Sequence, residues 1–446
     1  MACKNKEGKL MLKSLLAILI LVFSIETYAQ LSDGQHIWIV PRGSKNIQDN
    51  YQVLASVKQF DLISINKADR KRMFITRSQV YSDNKVIDVT NAWQNAYGNN
   101  LVSRQQATEF LANYIAPAKK SSVKNYIYKI QYQKEVNQLL NKMNPQSIQN
   151  FLLTLSSFVD RSYDTEYGVD AANWIKSQVD KLVKESGRKD ITTFTIETQG
   201  TDDDGNPVKQ PSVVVKIGNS NEPGIVIGAH FDTYRKYDLK TSEDMCKEIP
   251  DPKFKQLCID CLSGDKPGAD DDGSGSSIVF EVARTIISNV IQFKNPIYLV
   301  WYSAEEIGMV GSQSVVEDFH EKNISVKAVL QLDQVGYSFQ NDTTIWLVNN
   351  YVDINLTTYI ANLIDEYVKQ PVKYTACGGP CSDHVSWNAK NIPVAFPFES
   401  EMKIGQGYPF AHTPWDSFDK LSLSHMTDFA KLSIAFAVEL AEPIAS

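Results

Sequence analysis

Three consecutive carboxylates stand between glycines in the stretch Pro267 to Gly275, PGADDDGSG. Crowded like charges are unfavourable unless water, backbone amides or a cation compensates them, so the stretch is a solvated turn, a helix cap or part of a metal site. The amphipathic run SGSSIVFEVARTII follows, and a carboxylate ahead of it would cap a helix, but capping needs only one acid. A calcium loop of the EF-hand pattern fails, because Gly268 occupies the place of the first Asp and Val279 that of the closing Glu. The remaining reading is a transition-metal site that draws on His230, one of Asp270 to Asp272, one of Glu305 and Glu306, Asp333 and a later histidine. Mixed imidazole and carboxylate ligands suit zinc. Two zinc ions roughly 3.5 to 4 Å apart, sharing one carboxylate, would account for so many acids at one place.

The later histidine is chosen by context. His36 lies in an N-terminal module, and His320 and His425 sit in polar helical surroundings, so these three read as structural. His384, in SDHVSW, opens a helix and reads as a supporting residue, whereas His412, in AHTPWDS, occupies a Gly/Pro-rich loop able to reach the site. Glu305 and Glu306 follow a strand and point in different directions. One can therefore ligate while the other faces a metal-held water as general base and acid; the residues alone leave open which does which.

These side chains need elements to gather them. The apolar strands Ile225 to Ala229, Ile297 to Ala304 and Ala328 to Leu332 are each followed at once by a candidate: His230, Glu305 with Glu306, and Asp333. Helical periodicity in IQNFLLTLSSFV and DAANWIKSQVDKLV alternates with such strands, which is the rhythm of an α/β domain. Open α/β sheets bind ligands beyond the carboxyl ends of their strands, so one crevice can collect all the candidates.

The whole chain sets limits on this reading. Its 446 residues, 43% hydrophobic and 22% charged, are enough for a well-cored globular protein. A net charge of −7 with no basic run argues against a nucleic-acid partner. Residues 1–29 carry Lys4, Lys6, Lys9 and Lys13, an apolar run from Leu15 to Ile25 and small residues up to Ala29, the layout of a cleaved signal peptide. That run is short for a stable membrane span, and no later segment reaches about 18 apolar residues. Export permits disulfides, and five cysteines follow Ala29: Cys246, Cys258 and Cys261 in one cluster, Cys377 and Cys381 in another. A zinc knuckle at Cys258 and Cys261 lacks a second ligand pair, so a local disulfide with one thiol left over is expected there. Residues 30–122 read as a separate module of short strands such as HIWIV and FDLISI, ending in the basic linker Ala116 to Lys124; an accessory domain or, preferably, a removable prosegment. Residues 123–446 form the catalytic domain.

Taken together, GAHFDT, PGADDDGSG, AEEIGMVGS, QLDQVGY, CGGPCSDHVSW, FPFES and AHTPWDS resemble, in order, the motifs of the secreted bacterial di-zinc leucyl aminopeptidases, and LSSFVDRSYDTEYGVDAANWI is similar to that family's opening helical region. The resemblance covers about Ser147 to Ser446. It implies a zinc-exopeptidase-like fold, with a mixed, mostly parallel central sheet flanked by helices. It implies two zinc ions held by His230, Asp271, Glu306, Asp333 and His412, with Asp271 the bridge and Asp270 and Asp272 shaping and capping the loop. Glu305 becomes the general base and Asp232 the partner that orients His230. It further implies a Cys377 to Cys381 disulfide beside a substrate pocket walled by Phe396 and Phe398, which otherwise read as strand core. The expected activity is removal of N-terminal residues from peptides with free N-termini, after a processing protease has cut the prosegment.

Departures from the family bear on specificity. Gln334 follows Asp333 where leucyl-preferring relatives tend to carry an apolar residue, and Gly379 lies between the cysteines where an aromatic is common, so the pocket reads as wider or more polar, with Lys or Arg as candidate N-terminal residues. The segment Tyr234 to Lys266 is longer than the family minimum and reads as a flap. Related folds run carboxypeptidase or glutaminyl cyclase chemistry, and a catalytically silent peptide-binding homologue is the non-enzymatic alternative. Such loss usually shows as missing ligands, and none of the five, nor the base, is missing.

Overall fold

The computed structural model describes residues 28–29, 35–41, 52–57, 60–66, 87–88, 93, 102–114, 126–201, 207–377, 380–402 and 407–444. The signal-like run before Tyr28, the Lys-rich linker, and Gly379 lie outside the described residues. In the N-terminal module, strand β1 (Tyr28–Ala29) pairs with β6 (Val102–Ser103), just ahead of helix α1 (Arg104–Tyr114). Strands β2 (Gln35–Pro41), β3 (Gln52–Val57), β4 (Phe60–Asn66) and β5 (Ile87–Asp88) form an antiparallel sheet in the order β3-β4-β2-β5. Ile37, Ile39, Leu62, Trp93 and Leu111 give this module its own small core.

Beyond it, helices α2 (Gln133–Leu140), α3 (Pro145–Leu155) and α4 (Glu166–Ser186) lead into the main sheet. Helix α3 starts at an Asn144 cap with proline in its first turn, and α4 runs from a Thr165 cap to Gly187, which takes the left-handed conformation (φ 67°) that ends helices. The extended segment entering α2 is fastened to later helices: the backbone N–H groups of Gln131 and Tyr132 donate to Glu439 at 2.8 and 3.1 Å, and Tyr359 donates to the Lys129 carbonyl.

The main sheet has six strands in the order β14-β11-β9-β10-β8-β7. Strands β9 (Gly224–His230), β10 (Ile297–Tyr302), β11 (Val326–Gln331) and β14 (Val394–Ala395) run parallel, and β7 (Ile191–Ile196) with β8 (Ser212–Ile217) closes one edge antiparallel. The expected mixed, mostly parallel sheet is thus present. Every residue of β10 is buried, because helices cover both faces. Its side chains alternate: Ile297, Leu299 and Trp301 join the large core, while Tyr298, Val300 and Tyr302 join the core on the opposite face. On β11 a register shift between Val326 and Ala328 places Val326 and Val329, three residues apart, on one face.

Helix α7 (Gly273–Ile287) and helix α11 (Leu423–Ala441) pack on the first face, and α8 (Val310–Glu321) with α10 (His384–Ala389) on the second. Small residues at the start of α7 allow it to approach β9 closely, so Ser276 donates its hydroxyl to the His230 carbonyl at 2.7 Å. Two helices, α5 (Leu239–Cys246) and α6 (Pro252–Ser263), fill the long segment before α7. Strands β12 (Ile345–Val348), β13 (Val372–Thr375) and β15 (Pro397–Phe398) make a second sheet, with α9 (Ile354–Leu363) between the first two. The Cys377–Cys381 disulfide forms as expected; in the other cluster Cys246 pairs with Cys258 and leaves Cys261 free.

Gly228 on β9 is required by packing: a Cβ there would meet the Tyr302 ring at 2.4 Å, and Tyr302 is itself held by the Trp387 indole N–H at 2.9 Å. Gly228→Ala is expected to destabilise the fold by about 1–3 kcal/mol through overpacking, read as a lower denaturant midpoint. An unchanged midpoint would mean that the sheet yields at this point.

Candidate metal centre

Parallel register brings the candidates to one edge. His230 ends β9 level with Tyr302 of β10, three residues before Glu305, and β11 ends two residues before Asp333. The acidic loop enters from the start of α7 and His412 from the loop before α11.

The distances form two groups joined by one residue. Asp271 places Oδ1 3.1 Å from His230 Nε2 and Oδ2 3.0 Å from His412 Nε2. Glu306 Oε2 lies 3.1 Å from His412 Nε2, and Asp333 Oδ1 3.6 Å from His230 Nε2. Ligand atoms of Asp271, Glu306 and His412 fall within 4.8 Å of one another, as do those of His230, Asp272 and Asp333. Asp272 thus stands nearer the second group than a capping residue need. It does cap α7, with Oδ1 accepting the Gly275 N–H at 2.9 Å and the Gln334 N–H at 3.3 Å, and this leaves only Oδ2 for other use. Asp271 alone faces both imidazoles.

The residues fit a cation. Buried oxygens of Asp272 (Oδ2), Glu306 (Oε1) and Asp333 (Oδ1) have no hydrogen-bond partner, a costly state that a metal ion relieves. Burial pushes the carboxyls of Glu305, Glu306 and Asp272 above their usual range, the signature of negative charge short of compensation. Burial would likewise raise Asp271, but the two imidazoles at its oxygens outweigh it and hold the carboxyl far below that range. His230 and His412 respond in kind: burial lowers them, the surrounding carboxylates raise them more, and His412 reaches about 10. Two histidines against so many acids leave negative charge for metal ions to balance.

The supporting residues explain the geometry. Asp232 stands against His230 Nδ1 with its backbone carbonyl at 3.2 Å and its carboxylate at 3.4 Å. Its carboxylate also accepts the backbone N–H groups of Glu305 at 3.0 Å and Glu306 at 3.1 Å, one per oxygen, so a single residue contacts both the histidine and the turn that carries both glutamates. Ala304, just before that turn, has φ 50°, and Asp232 is fully buried. Two further residues escaped the sequence reading. Asp416 accepts the N–H groups of Asp270 at 2.8 Å and Asp271 at 3.2 Å together with the Tyr408 hydroxyl at 2.8 Å, fixing the acidic loop from a distance of 146 residues. Arg161, fully buried, donates to the carbonyls of Phe231, Leu155, Pro267 and Gly268, and so ties the loops of His230 and Asp271 to the start of the domain. Asp416 stands in the same AHTPWDS motif as His412, which was a usable signal; Arg161 stands in the helical-region motif between Asp160 and Asp164, where it reads as an ordinary ion-pairing residue.

Asp270 faces away from the metal ligands. It accepts the Gly336 N–H at 3.0 Å, while Glu399, which accepts the Tyr337 N–H at 2.5 Å, lies against it, and burial raises both carboxyls. This agrees with its reading as a loop-shaping residue. Gln334 is half-buried with φ 52°. Phe396 and Phe398 pack with Val348, Val352 and Cys377, and at 1% and 7% exposure they are core beside the disulfide rather than an open wall. His384 stacks on Phe396, with ring centroids 4.7 Å apart, and burial lowers its pKa to about 3, so it is a neutral core residue.

A family model described as Peptidase family M28 matches residues 212–437. A leucine aminopeptidase 1 of Fusarium vanettenii is 31% identical over 317 residues, 69% of this chain and 73% of that one. The crystal structure of the Legionella pneumophila LapA aminopeptidase is similar at 37% identity with a TM-score of 0.74, covering 93% of this chain and 100% of that one. A Porphyromonas gingivalis glutaminyl cyclase shares the fold at 17% identity and a TM-score of 0.51, covering 66% of this chain and 96% of that one. The sequence kinship therefore reaches fungal proteins and is not confined to the bacterial enzymes that the motifs resemble.

Asp416→Ala would strand two buried N–H groups. It is expected to cost about 2 kcal/mol or more in the metal-free protein, measured by denaturant unfolding after chelation. An unaltered metal-free stability would show that the acidic loop keeps its shape without this brace.

Proposed function

The chain belongs to peptidase family M28 and is a zinc-dependent metalloaminopeptidase, and on that premise we propose that its cleft holds two zinc ions and releases the N-terminal residue of peptides, with Glu305 as proton carrier. The observation that carries the two-ion reading is Asp271, whose two oxygens meet two histidines that share no other ligand group. His230 with Asp333, and His412 with Glu306, would complete the two sets. When bound, zinc polarises the scissile carbonyl and makes its water acidic.

The residues supply the rest. Asp232 holds the backbone N–H groups of Glu305 and Glu306 in one turn, so Glu305 is the free carboxyl next to a ligand and is the group assigned to the attacking water. It accepts a proton from the attacking water as the new C–O bond forms, and returns that proton to the amine as the C–N bond breaks. Burial raises its pKa above the usual carboxyl range, the direction that helps a group first take and then give up a proton. The acid-rich cleft favours a free, cationic N-terminus, which suits an exopeptidase.

The shared fold does not separate hydrolysis from glutaminyl cyclase or carboxypeptidase chemistry. Adjacent glutamates on an anchored turn favour hydrolysis, and the full set of ligands and base argues against a silent peptide-binding role. Export and prosegment removal follow from the signal-like N-terminus and the basic linker; the disulfides agree with export, and among the described residues no helix is long and apolar enough to cross a membrane. Polar Gln334 next to Asp333 keeps Lys and Arg as candidate substrates beside leucine.

Glu305→Gln is expected to lower kcat by about 10²- to 10⁴-fold while zinc content, counted by atomic absorption, stays at the wild-type level. Retained activity in that variant would remove Glu305 from its role. Chelation should abolish turnover and added zinc restore it. A panel of aminoacyl arylamides tests the pocket: lysine or arginine derivatives should be cleaved at least as well as leucine, and leucine best by a wide margin would discard the polar-pocket reading.

A further inference from the structure

The two histidines of the centre are held in different ways. His230 has Asp232 against its outer nitrogen, whereas no carboxylate among the described residues stands against the outer nitrogen of His412. The His412 imidazole instead lies flat on the ring of Tyr234, with centroids 4.2 Å apart and planes at 25°. His412 sits in a loop with φ 64° and its side chain is 32% exposed, so regular secondary structure does not fix the ring.

Tyr234 is also the first residue of the long segment that ends at Lys266, and the far end of that segment touches the same loop. Gly264 packs so tightly on Pro414, two residues after His412, that a Cβ would lie 2.3 Å from the proline Cγ. The two ends are tied to each other. The Tyr237 N–H donates to the Leu262 carbonyl at 2.9 Å, and the Cys246–Cys258 disulfide joins α5 to α6. Lys266, 2% exposed, donates its backbone N–H to the Val159 carbonyl at 2.7 Å and its Nζ to the Cys261 carbonyl. The segment expected to form a flap is a stapled helical hairpin that grips the His412 loop at two points.

We propose that Tyr234 is a positioning residue for His412, and that the hairpin it begins does for this ligand what Asp232 does for His230. The proposal rests on the two-ion reading. The ion at Asp271, Glu306 and His412 is then bound with an affinity set by an aromatic face at position 234, while the ion at His230 and Asp333 is indifferent to it. The proposal concerns the aromatic face at position 234, which phenylalanine also presents, so phenylalanine should serve as well.

The test is a zinc titration of the full chain against a fluorescent chelator, comparing wild type, Tyr234→Ala and Tyr234→Phe, with melting of the metal-free proteins alongside. Tyr234→Ala is expected to weaken one of the two ions about tenfold or more, the usual scale for losing a residue that orients a ligand, and to leave the other unchanged. Tyr234→Phe should restore wild-type affinity, which a general loss of stability would not explain. Equal affinity in Tyr234→Ala, or a Phe variant as weak as the Ala variant, overturns the proposal. A wild-type protein that binds a single ion fails the two-ion reading instead. The comparison still decides the stacking in that case, since a tenfold weaker single site in Tyr234→Ala keeps it and an equal one ends it.

Discussion

Negative charge brought together out of water is the constraint on which this centre is built. Asp270, Asp271, Asp272, Asp232, Asp333, Asp383, Asp416 and Glu399 are all at most 5% exposed, and their neighbours supply few cations. The protein handles the excess by dividing it. Some carboxylates are spent on backbone amides: Asp232 on the glutamate turn, Asp272 on the start of α7, Asp416 on the acidic loop. Others are paired with each other, as Asp270 is with Glu399. Asp271, Glu306 and Asp333 retain oxygens directed at imidazoles, and the partnerless oxygens of Glu306, Asp333 and Asp272 beside them call for metal. The acids that do not ligate shape the loops that carry those that do.

The fold serves this division by delivering loops from distant parts of the chain to one edge of a parallel sheet. Register alone levels His230 with the end of β10. Arg161 then draws four backbone carbonyls to one guanidinium, against the burial that lowers its pKa to about 10. Its planar array of donors makes the cluster of carbonyls possible where a lysine could not reach them all.

Residue type and strand endings made much of this legible. Few arrangements other than a metal site place His230, Asp333 and two glutamates directly after apolar strands, and the ordering of motifs carried the roles. What escaped was whatever depends on closeness between remote segments. Asp416 bonds amides 146 residues earlier, and Arg161 reaches Gly268 across 107 residues. The cysteine cluster hid its pairing because a helix separates Cys258 from Cys261 by three residues, while the chain reversal between α5 and α6 brings Cys246 to Cys258. Phe396 and Phe398 looked like pocket walls because alternating aromatics read alike in a wall and in a core; only their burial separates the two.

The anchoring of residues 129–132 to the last helix has a bearing on how the chain tolerates being cut. Gln131 and Tyr132 end their backbone donors on Glu439, whose Oε1 accepts both the Tyr132 N–H and the Tyr367 hydroxyl, and the Lys129 carbonyl receives Tyr359. A break in the chain ahead of residue 126 would leave this clasp in place. Fraying that starts ahead of Lys129 meets α9 and α11 before it reaches α2, so the segment entering α2 and the last described helix hold each other.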